Sequence, residues 1–419
     1  MKYGLIGEHL PHSFSKEIHA KIADYTYELC ELNACELDGF MRQKNFIAIN
    51  VTIPYKKNVI PYLDEIDENA KRIGAVNTIV NRGGRLFGYN TDFFGMRALI
   101  RRIGVDLAGK KVAVLGTGGT SNTAVAVAES LGARQVITVG RTAKNGSVSY
   151  EDLYRDHTDT DYIINTTPCG MYPYPDGNEG ISATPVDLSA FPALAGVADA
   201  VYNPLRTNFI MEAKKRGIPA EGGLYMLVAQ AVVAAEKFMD TTLDLSVTDR
   251  IFSEILASKE NIVLSGMPGS GKTTVGKYLA GALNRKFIDT DGEIVKQTGK
   301  EITEIFAEVG NEGFREIESD VIARVSSENS GAVIATGGGA ILRDDNVRAL
   351  KRNGRIYFLN RPIGDIVPTA DRPLALDRAA LEARFRERHA RYLSTCDKEI
   401  ENKQSPEAAA QMITEDFFK

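Results

Sequence analysis

LSGMPGSGKTT, from Leu264 to Thr274, places Gly266, Gly271, Lys272 and Thr273 in the order G-x-x-x-x-G-K-[ST]. A strand-like run, NIVL, precedes it and a helix-like run, TTVGKYLAGAL, follows. In that setting backbone N–H groups and a helix N-terminus wrap phosphate groups. The spacing assigns nucleotide contacts to Gly266, Gly269, Ser270, Gly271, Lys272, Thr273 and Thr274. The Lys272 ammonium would neutralise β/γ oxygens and the Thr273 hydroxyl would sit on Mg²⁺, with ATP as the nucleotide. Such a loop opens an α/β domain with a central parallel sheet.

Outward from the loop, short Val- and Ile-rich runs alternate with helix-length segments along almost the whole chain: KYGLIG, FIAINVTI, KVAVLG, QVITVG, DYIINTT, GVADAVY, NIVLSG, AVIATGGG and RIYFLN. This argues an α/β class, with parallel sheets covered by helices on both faces. At 419 residues the chain exceeds one ordinary core, so two or three domains are expected. The clearest seam lies where the polar, helical stretch ending in FSEILASKE gives way to NIVLSG, with a boundary near Ser258. A composition of 43% hydrophobic and 25% charged residues with a net charge of −5 fits a soluble globular protein, and gives no footprint for nucleic acid or an anionic membrane. MKYGLIGEHL reads as strand and turn rather than signal peptide, and the best apolar run, MLVAQAVVAA, is too short to cross a bilayer. Cys30, Cys35, Cys169 and Cys396 show no CxxC spacing, which fits reduced thiols in a cytoplasmic protein.

The phosphate acceptor needs residues of its own. FIDTD carries Asp289 and Asp291 at a strand end, where alternation would point them differently. One would support the metal while the other reaches an acceptor hydroxyl as base or orienter. GFREIES offers Arg315 on a helix, for which a surface ion pair with Glu318 or Glu312 is the plain alternative. ATGGGA supplies three successive glycines after a strand, so a small molecule could approach the backbone closely.

GMPGSGKTT, FIDTD, FRxxE, the GGG turn, DRP at Asp371–Pro373 and ER…Y at Glu387–Tyr392 together resemble shikimate kinase, from Asn261 to Phe418. The resemblance implies that Asp289 assists Mg²⁺ and that Asp291 contacts the substrate hydroxyls. Arg315 and Arg388 would clamp the substrate carboxylate, and Gly338 and Gly339 would line the same pocket. Paired guanidiniums suit a carboxylate through charge-assisted, bidentate bonds. Arg372 would be the lid arginine that closes over the transferring phosphoryl group. Two features depart from the family. RPIGDIVPTADRPLA lacks the arginine that often precedes the lid, and HARY follows Arg388 where proline is usual.

Nearer the N-terminus, KKVAVLGTGGTSNTAVAVAESLGARQVITVGRT reads as strand, glycine turn, helix and strand. Gly116, Gly118 and Gly119 suit a dinucleotide pyrophosphate over a helix N-terminus. Where an NAD site usually carries an acid, this chain has GRTAK, so Arg141, Thr142 and Lys144 favour a 2′-phosphate and hence NADP. Lys56 follows a strand in NVTIPYKK, while Asn77 lies in GAVNTIV and Asp92 in GYNTDFFG. A lysine and an aspartate brought together form a proton-transfer pair, although spacing does not by itself join these two.

Those stretches, with HSFSKEIH, NTTPCGM, DAVYNP and GGLYMLVAQA, resemble shikimate dehydrogenase from Met1 to about Phe238. The resemblance implies Ser13 and Ser15 on the substrate carboxylate, and Thr52, Asn77, Asp92 and Gln230 on its ring hydroxyls. Lys56 becomes the catalytic acid/base with Asp92 as its partner, and Tyr202 lies near the nicotinamide. It also implies a split unit: residues 1–97 with 222–245 as the substrate lobe, 98–221 as a Rossmann-like NADP lobe, 246–260 as linker and 261–419 as the kinase domain. Departures are Lys16 for proline, Ala20 for asparagine, Gly140 for asparagine and Asn122 for a basic residue.

Together the two resemblances imply a bifunctional enzyme that makes shikimate from 3-dehydroshikimate with NADPH and then phosphorylates it with MgATP. The alternatives are an NAD-dependent quinate/shikimate dehydrogenase joined to a small-polyol kinase, and an inactive metabolite-sensing regulator. The sequence leaves oligomeric state open, a homodimer included.

Overall fold

Each Val- and Ile-rich run read from the sequence contributes a strand in the computed structural model, which describes residues 1–419 apart from 11–12, 145, 174–177, 245 and 367–377. The chain divides into two compact units, Met1–Ile255 and Leu256–Lys419.

In the first unit, β1 (Tyr3–Gly7), β2 (Tyr27–Glu31), β3 (Ala48–Val51), β4 (Glu65–Ile66), β5 (Thr78–Arg82) and β6 (Arg85–Tyr89) form a sheet in the order β2-β1-β3-β5-β6-β4. Helices α1 (Ser15–Ile22), α2 (Leu37–Gln43), α3 (Glu68–Ile73) and α4 (Asp92–Ile103) belong to the same stretch. One strand departs from the parallel pattern, since β5 runs antiparallel to both β3 and β6. The β5–β6 reversal has a local cause. Gly83 and Gly84 form a two-residue hairpin loop with φ of 61° and 89°, a pair of left-handed positions that glycine adopts without strain.

The second sheet contains β7 (Lys111–Leu115), β8 (Gln135–Gly140), β9 (Val148–Ser149), β10 (Tyr162–Asn165), β11 (Gly196–Asp199) and β12 (Ala220–Glu221). Its order is β12-β11-β10-β7-β8-β9, and every neighbour is parallel. Its helices are α5 (Gly119–Ser130), α6 (Tyr150–Asp156), α7 (Asn208–Lys215) and α8 (Leu224–Met239). The strand order reverses at β7, so the loop after β7 opens at a switch point, where α/β sheets bind ligands. Rather than staying with the second sheet, α8 packs on α4 and α1, and its Ala234 and Phe238 join Leu5, Tyr27, Ala48 and Val80 in a core behind the first sheet.

Residues 246–260, expected as a linker, are helical as α9 (Ser246–Lys259), and the division between the units falls inside this helix. Beyond it, β13 (Asn261–Ser265), β14 (Phe287–Asp289), β15 (Val333–Ala335), β16 (Gly354–Asn360) and β17 (Lys398–Glu401) form a parallel sheet in the order β14-β15-β13-β16-β17. The accompanying helices are α10 (Lys272–Ala282), α11 (Thr290–Thr298), α12 (Ile302–Glu328), α13 (Asp344–Asn353), α14 (Arg378–Thr395) and α15 (Pro406–Phe417). Every residue of β13 is buried, as a central parallel strand covered on both faces requires.

Candidate active sites

In the first unit Lys56 and Asp92 meet. The Lys56 Nζ donates to Asp92 Oδ2 at 2.6 Å, with the two side chains 25% and 16% exposed. The distance bridges 36 positions of sequence, and folding of two loops accounts for it. Lys56 lies beyond β3, and its carbonyl accepts from Val76 N at 2.8 Å, which ties its loop to the strand entry at Asn77. Asp92 begins α4, where a carboxylate is favoured by the helix dipole. Both groups keep access to solvent, as a proton-transfer pair must.

Thr91 joins several of the remaining polar candidates. Asn77 Oδ1 accepts from Thr91 N at 2.7 Å, and Asn77 Nδ2 donates to Thr91 Oγ1 at 3.1 Å. The Thr91 hydroxyl in turn reaches Gln230 Oε1 on α8 at 3.2 Å. Thr91, Thr78 and the Tyr27–Asn50 pair behind them complete a buried polar network that sequence reasoning missed, since each member reads as an ordinary strand or turn residue. Thr52 follows β3 in the Lys56 loop, where its N–H donates to Ile6 O. Ser13 and Ser15 share the entry of α1, and Ser13 Oγ accepts from Ser15 N at 3.3 Å, so a local turn is present there. Phe14 between them packs edge-on against the Tyr202 ring with centroids 5.3 Å apart. The Tyr202 loop is fixed by Asp199, which is fully buried and accepts from Asn165 Nδ2, Val201 N and Thr207 Oγ1. Burial pushes the Asp199 carboxyl up to about 6.

The glycine turn after β7 forms the second part of this unit's site. Gly116 has φ of 112°, and a side chain there would meet Thr166 Oγ1 at 2.7 Å. Gly118 and Gly119 face open space at the start of α5, so a ligand can lie against their backbone. Arg141, Thr142 and Lys144 follow β8 and are exposed, and among the described residues neither cationic side chain is paired. Gly140, read as a departure, has a packing reason: a Cβ there would come within 3.0 Å of Thr117 in the glycine turn. The two halves of the site are linked through their helices, because α4, which begins at Asp92, packs on α5, which begins at Gly119.

The second unit holds a cleft of about 760 Å³. Gly269, Gly271, Lys272, Thr273 and Thr274 line it together with Asp291, Arg315, Gly338, Gly339 and Arg388. Gly266, Gly269 and Gly271 have φ of 146°, 81° and 96°, which lets the loop turn back on itself. Lys272 Nζ donates to Gly266 O at 2.9 Å and Met267 O at 3.0 Å, holding the ammonium over the loop. Gly266 and Ser270 lie beneath the cleft rather than lining it. Ser270 is buried, and a side chain at Gly266 would strike its Oγ at 2.8 Å.

Thr273 Oγ1 donates to Asp289 Oδ2 at 2.9 Å. A hydroxyl and a carboxylate at the mouth of a phosphate loop form a hard-oxygen pair that fits a divalent cation completed by phosphate oxygens and water. Asp291 differs from expectation in one respect. It does not alternate along a strand, because β14 ends at Asp289 and Asp291 lies in the first turn of α11. Burial, with Asp289 and Glu318 nearby, pushes its carboxyl up to about 6.

Arg315 is buried and pairs with Glu318, itself buried, at 2.5 Å. The ion pair with Glu318 is therefore present but buried rather than on the surface, and Glu312 engages Arg343 instead. A Cβ at Gly339 would strike the Arg315 guanidinium, so the glycine turn is the seat of that arginine. Arg388 is also buried; it donates to Gly338 O at 3.2 Å, and its Nε has no partner. Arg372 lies outside the described residues. Glu318, read in the sequence only as a possible partner of Arg315, lines the cleft too, as do Arg361 and Arg384, which went unread.

Residues 5–79 match the family model of the shikimate dehydrogenase substrate binding domain, and residues 268–417 match that of shikimate kinase. The shikimate dehydrogenase (NADP(+)) of Clostridium perfringens strain SM101 is 35% identical over 271 residues, covering 60% of this chain and 97% of the relative. Among solved structures, shikimate dehydrogenase 1 from Peptoclostridium difficile is 35% identical with a TM-score of 0.54, covering 61% of this chain and 98% of that one. A chorismate mutase/shikimate 5-dehydrogenase fusion protein from Clostridium acetobutylicum is 34% identical with a TM-score of 0.56, covering 60% and 96%.

Proposed function

The chain belongs to the shikimate dehydrogenase family and carries a shikimate kinase domain behind that unit, and we propose that it reduces 3-dehydroshikimate to shikimate with NADPH and then phosphorylates the 3-hydroxyl of shikimate with MgATP. The Lys56–Asp92 pair carries the first half of this reading, and the arginine-lined cleft beside the phosphate loop carries the second. We assign residues 1–97 with 222–245 to a substrate lobe, 98–221 to the NADP lobe and 261–419 to the kinase. Among the described residues no helix is long and apolar enough to cross a membrane, and we place the enzyme in the cytoplasm.

For the reduction, the Gly116–Gly119 turn would hold NADPH, which when bound would supply hydride to the substrate carbonyl carbon. The Lys56 ammonium donates a proton to the carbonyl oxygen as the C=O bond becomes C–OH, and Asp92 keeps that ammonium charged and aimed. Ser13 and Ser15 hold the ring carboxylate, while Thr52, Asn77 and Gln230 orient the ring hydroxyls. Tyr202 covers the nicotinamide side. Arg141, Thr142 and Lys144, exposed beside the turn, suit the 2′-phosphate.

For the phosphorylation, Thr273 and Asp289 would hold Mg²⁺, which offsets charge on the nucleotide phosphates when bound. Arg315 and Arg388 fix the acceptor carboxylate, Gly338 and Gly339 lie under the ring, and Asp291 takes the proton of the attacking hydroxyl. Arg372 belongs to this assignment as the arginine of the lid. A base with a carboxyl near pH 6 is protonated below that value and active above it. We therefore expect kcat/KM of the kinase step for shikimate to fall about tenfold per pH unit below about pH 6. A profile flat from pH 5 to 8 would remove Asp291 as base.

Arg315→Ala is expected to raise KM for shikimate strongly, roughly ten- to a hundredfold, and KM for ATP by less than twofold. Because it also strips the buried Glu318 of its partner, Arg315→Lys keeps a positive charge there and serves as the folded companion. Equal changes in both constants would remove the carboxylate clamp. The test of the whole reading supplies purified protein with 3-dehydroshikimate, NADPH and MgATP. One NADPH should be consumed for each phosphorylated product, and an inert protein, or a clear preference for NADH with quinate chemistry, would overturn it.

A further inference from the structure

Around the Arg315–Glu318 pair the kinase cleft has an unbalanced set of charges. Two carboxylates, Glu318 and Asp291, neighbour three guanidiniums, Arg315, Arg388 and Arg384, while Arg361 and Asp365, of opposite charge, add no net charge to the lining. Arg384 stands one helical turn before Arg388 on α14, so both reach the cleft from the same helix face. Its Nη1 is shielded from solvent without a hydrogen-bond partner, and among the described residues its guanidinium has no ion pair. Burial and the neighbouring Arg388 and Arg315 disfavour its charge, and the nearby Glu387 on the same helix is exposed. A guanidinium remains protonated under such conditions, so the position costs free energy that only an anion in the cleft would recover.

We infer that Arg384 is a third acceptor-binding arginine, supplying the positive charge that lets this pocket accept a carboxylate. The inference rests on the reading of the acceptor as a small carboxylated ring. With Arg315 and Arg388 alone, the two guanidiniums would be matched by Glu318 and Asp291, and an entering carboxylate would bring an uncompensated negative charge into a sheltered site. With Arg384 this cluster has three guanidiniums to two carboxylates, an excess that a monoanionic acceptor neutralises.

The experiment uses the full chain, with shikimate and its uncharged carboxamide as acceptors in the kinase assay. Arg384→Gln should raise KM for shikimate about tenfold, with KM for ATP and kcat changed less than threefold. The preference for shikimate over the carboxamide should shrink by the same factor, which lost packing alone would not produce. Arg384→Lys, which keeps the charge without the planar fork, should retain most of that preference, and it keeps the test open if the glutamine variant does not fold. Unchanged KM for shikimate in Arg384→Gln, or equal losses for both acceptors, would overturn the role of Arg384 alone. A wild-type protein inert toward shikimate would instead remove the underlying assignment, and this role with it.

Discussion

Lys56→Ala should lower the turnover of 3-dehydroshikimate reduction by roughly two to four orders of magnitude, the range a positioned proton donor contributes, while the same chain phosphorylates shikimate at its wild-type rate. Hydride delivery without a proton leaves an alkoxide in the site, and no other side chain is in the place of the Lys56 ammonium, 2.6 Å from Asp92. The variant should fold. The Lys56 bond that ties its loop to Val76 uses the backbone carbonyl, which alanine retains, and the side chain itself is partly exposed. Asp92 loses its partner but remains within reach of water, so its charge is not stranded. Steady-state rates with NADPH, and separately with ATP, decide the matter on one protein preparation. A loss shared by both activities would mean that Lys56 holds up the fold, and an unchanged reductase would remove it from the chemistry.

What could be read beforehand, and what could not, follows from the range of the interactions concerned. The phosphate loop was legible because strand, glycines, lysine and helix start are consecutive residues, and the same holds for the Gly116–Gly119 turn. The Lys56–Asp92 contact spans 36 positions and has no spacing signature; only the resemblance to a family joined the two residues. The β5–β6 hairpin was within reach, since Gly83-Gly84 between Val-rich and Phe-containing runs is a turn signal, but the parallel pattern of the other strands masked it. Arg384 and Glu318 could not be told from solvated helix charges, because α14 and α12 carry many of them and burial depends on which helix face meets the sheet. Asp291 shows a subtler failure. Residues two apart on a strand share a face, so alternation would not have pointed Asp289 and Asp291 differently; Asp291 leaves the strand because the backbone has already turned into α11.

Lys272→Ala is the mirror image of the first variant and carries the other large effect. The Lys272 ammonium is held over the phosphate loop by Gly266 O and Met267 O, in the same cleft as the arginines. As phosphoryl transfer proceeds, charge accumulates on the oxygens between the β- and γ-phosphates, and a fixed cation there acts more strongly than one drawn from solvent. Removing it should lower kcat of shikimate phosphorylation by roughly a thousandfold, with a smaller rise in KM for ATP because the backbone N–H groups of the loop still bind phosphate. Arg315 and Arg388, which would hold the acceptor carboxylate, are seated by Glu318 and Gly338 O rather than by the loop, so KM for shikimate should stay within about twofold. Reduction of 3-dehydroshikimate depends on a separate compact unit, residues 1–255, and should be unaffected. Product analysis then gives a sharp readout: supplied with both nucleotides, the variant should consume NADPH at the wild-type rate and accumulate shikimate. Phosphorylation at more than a tenth of the wild-type rate would show that this loop is not where the donor is activated.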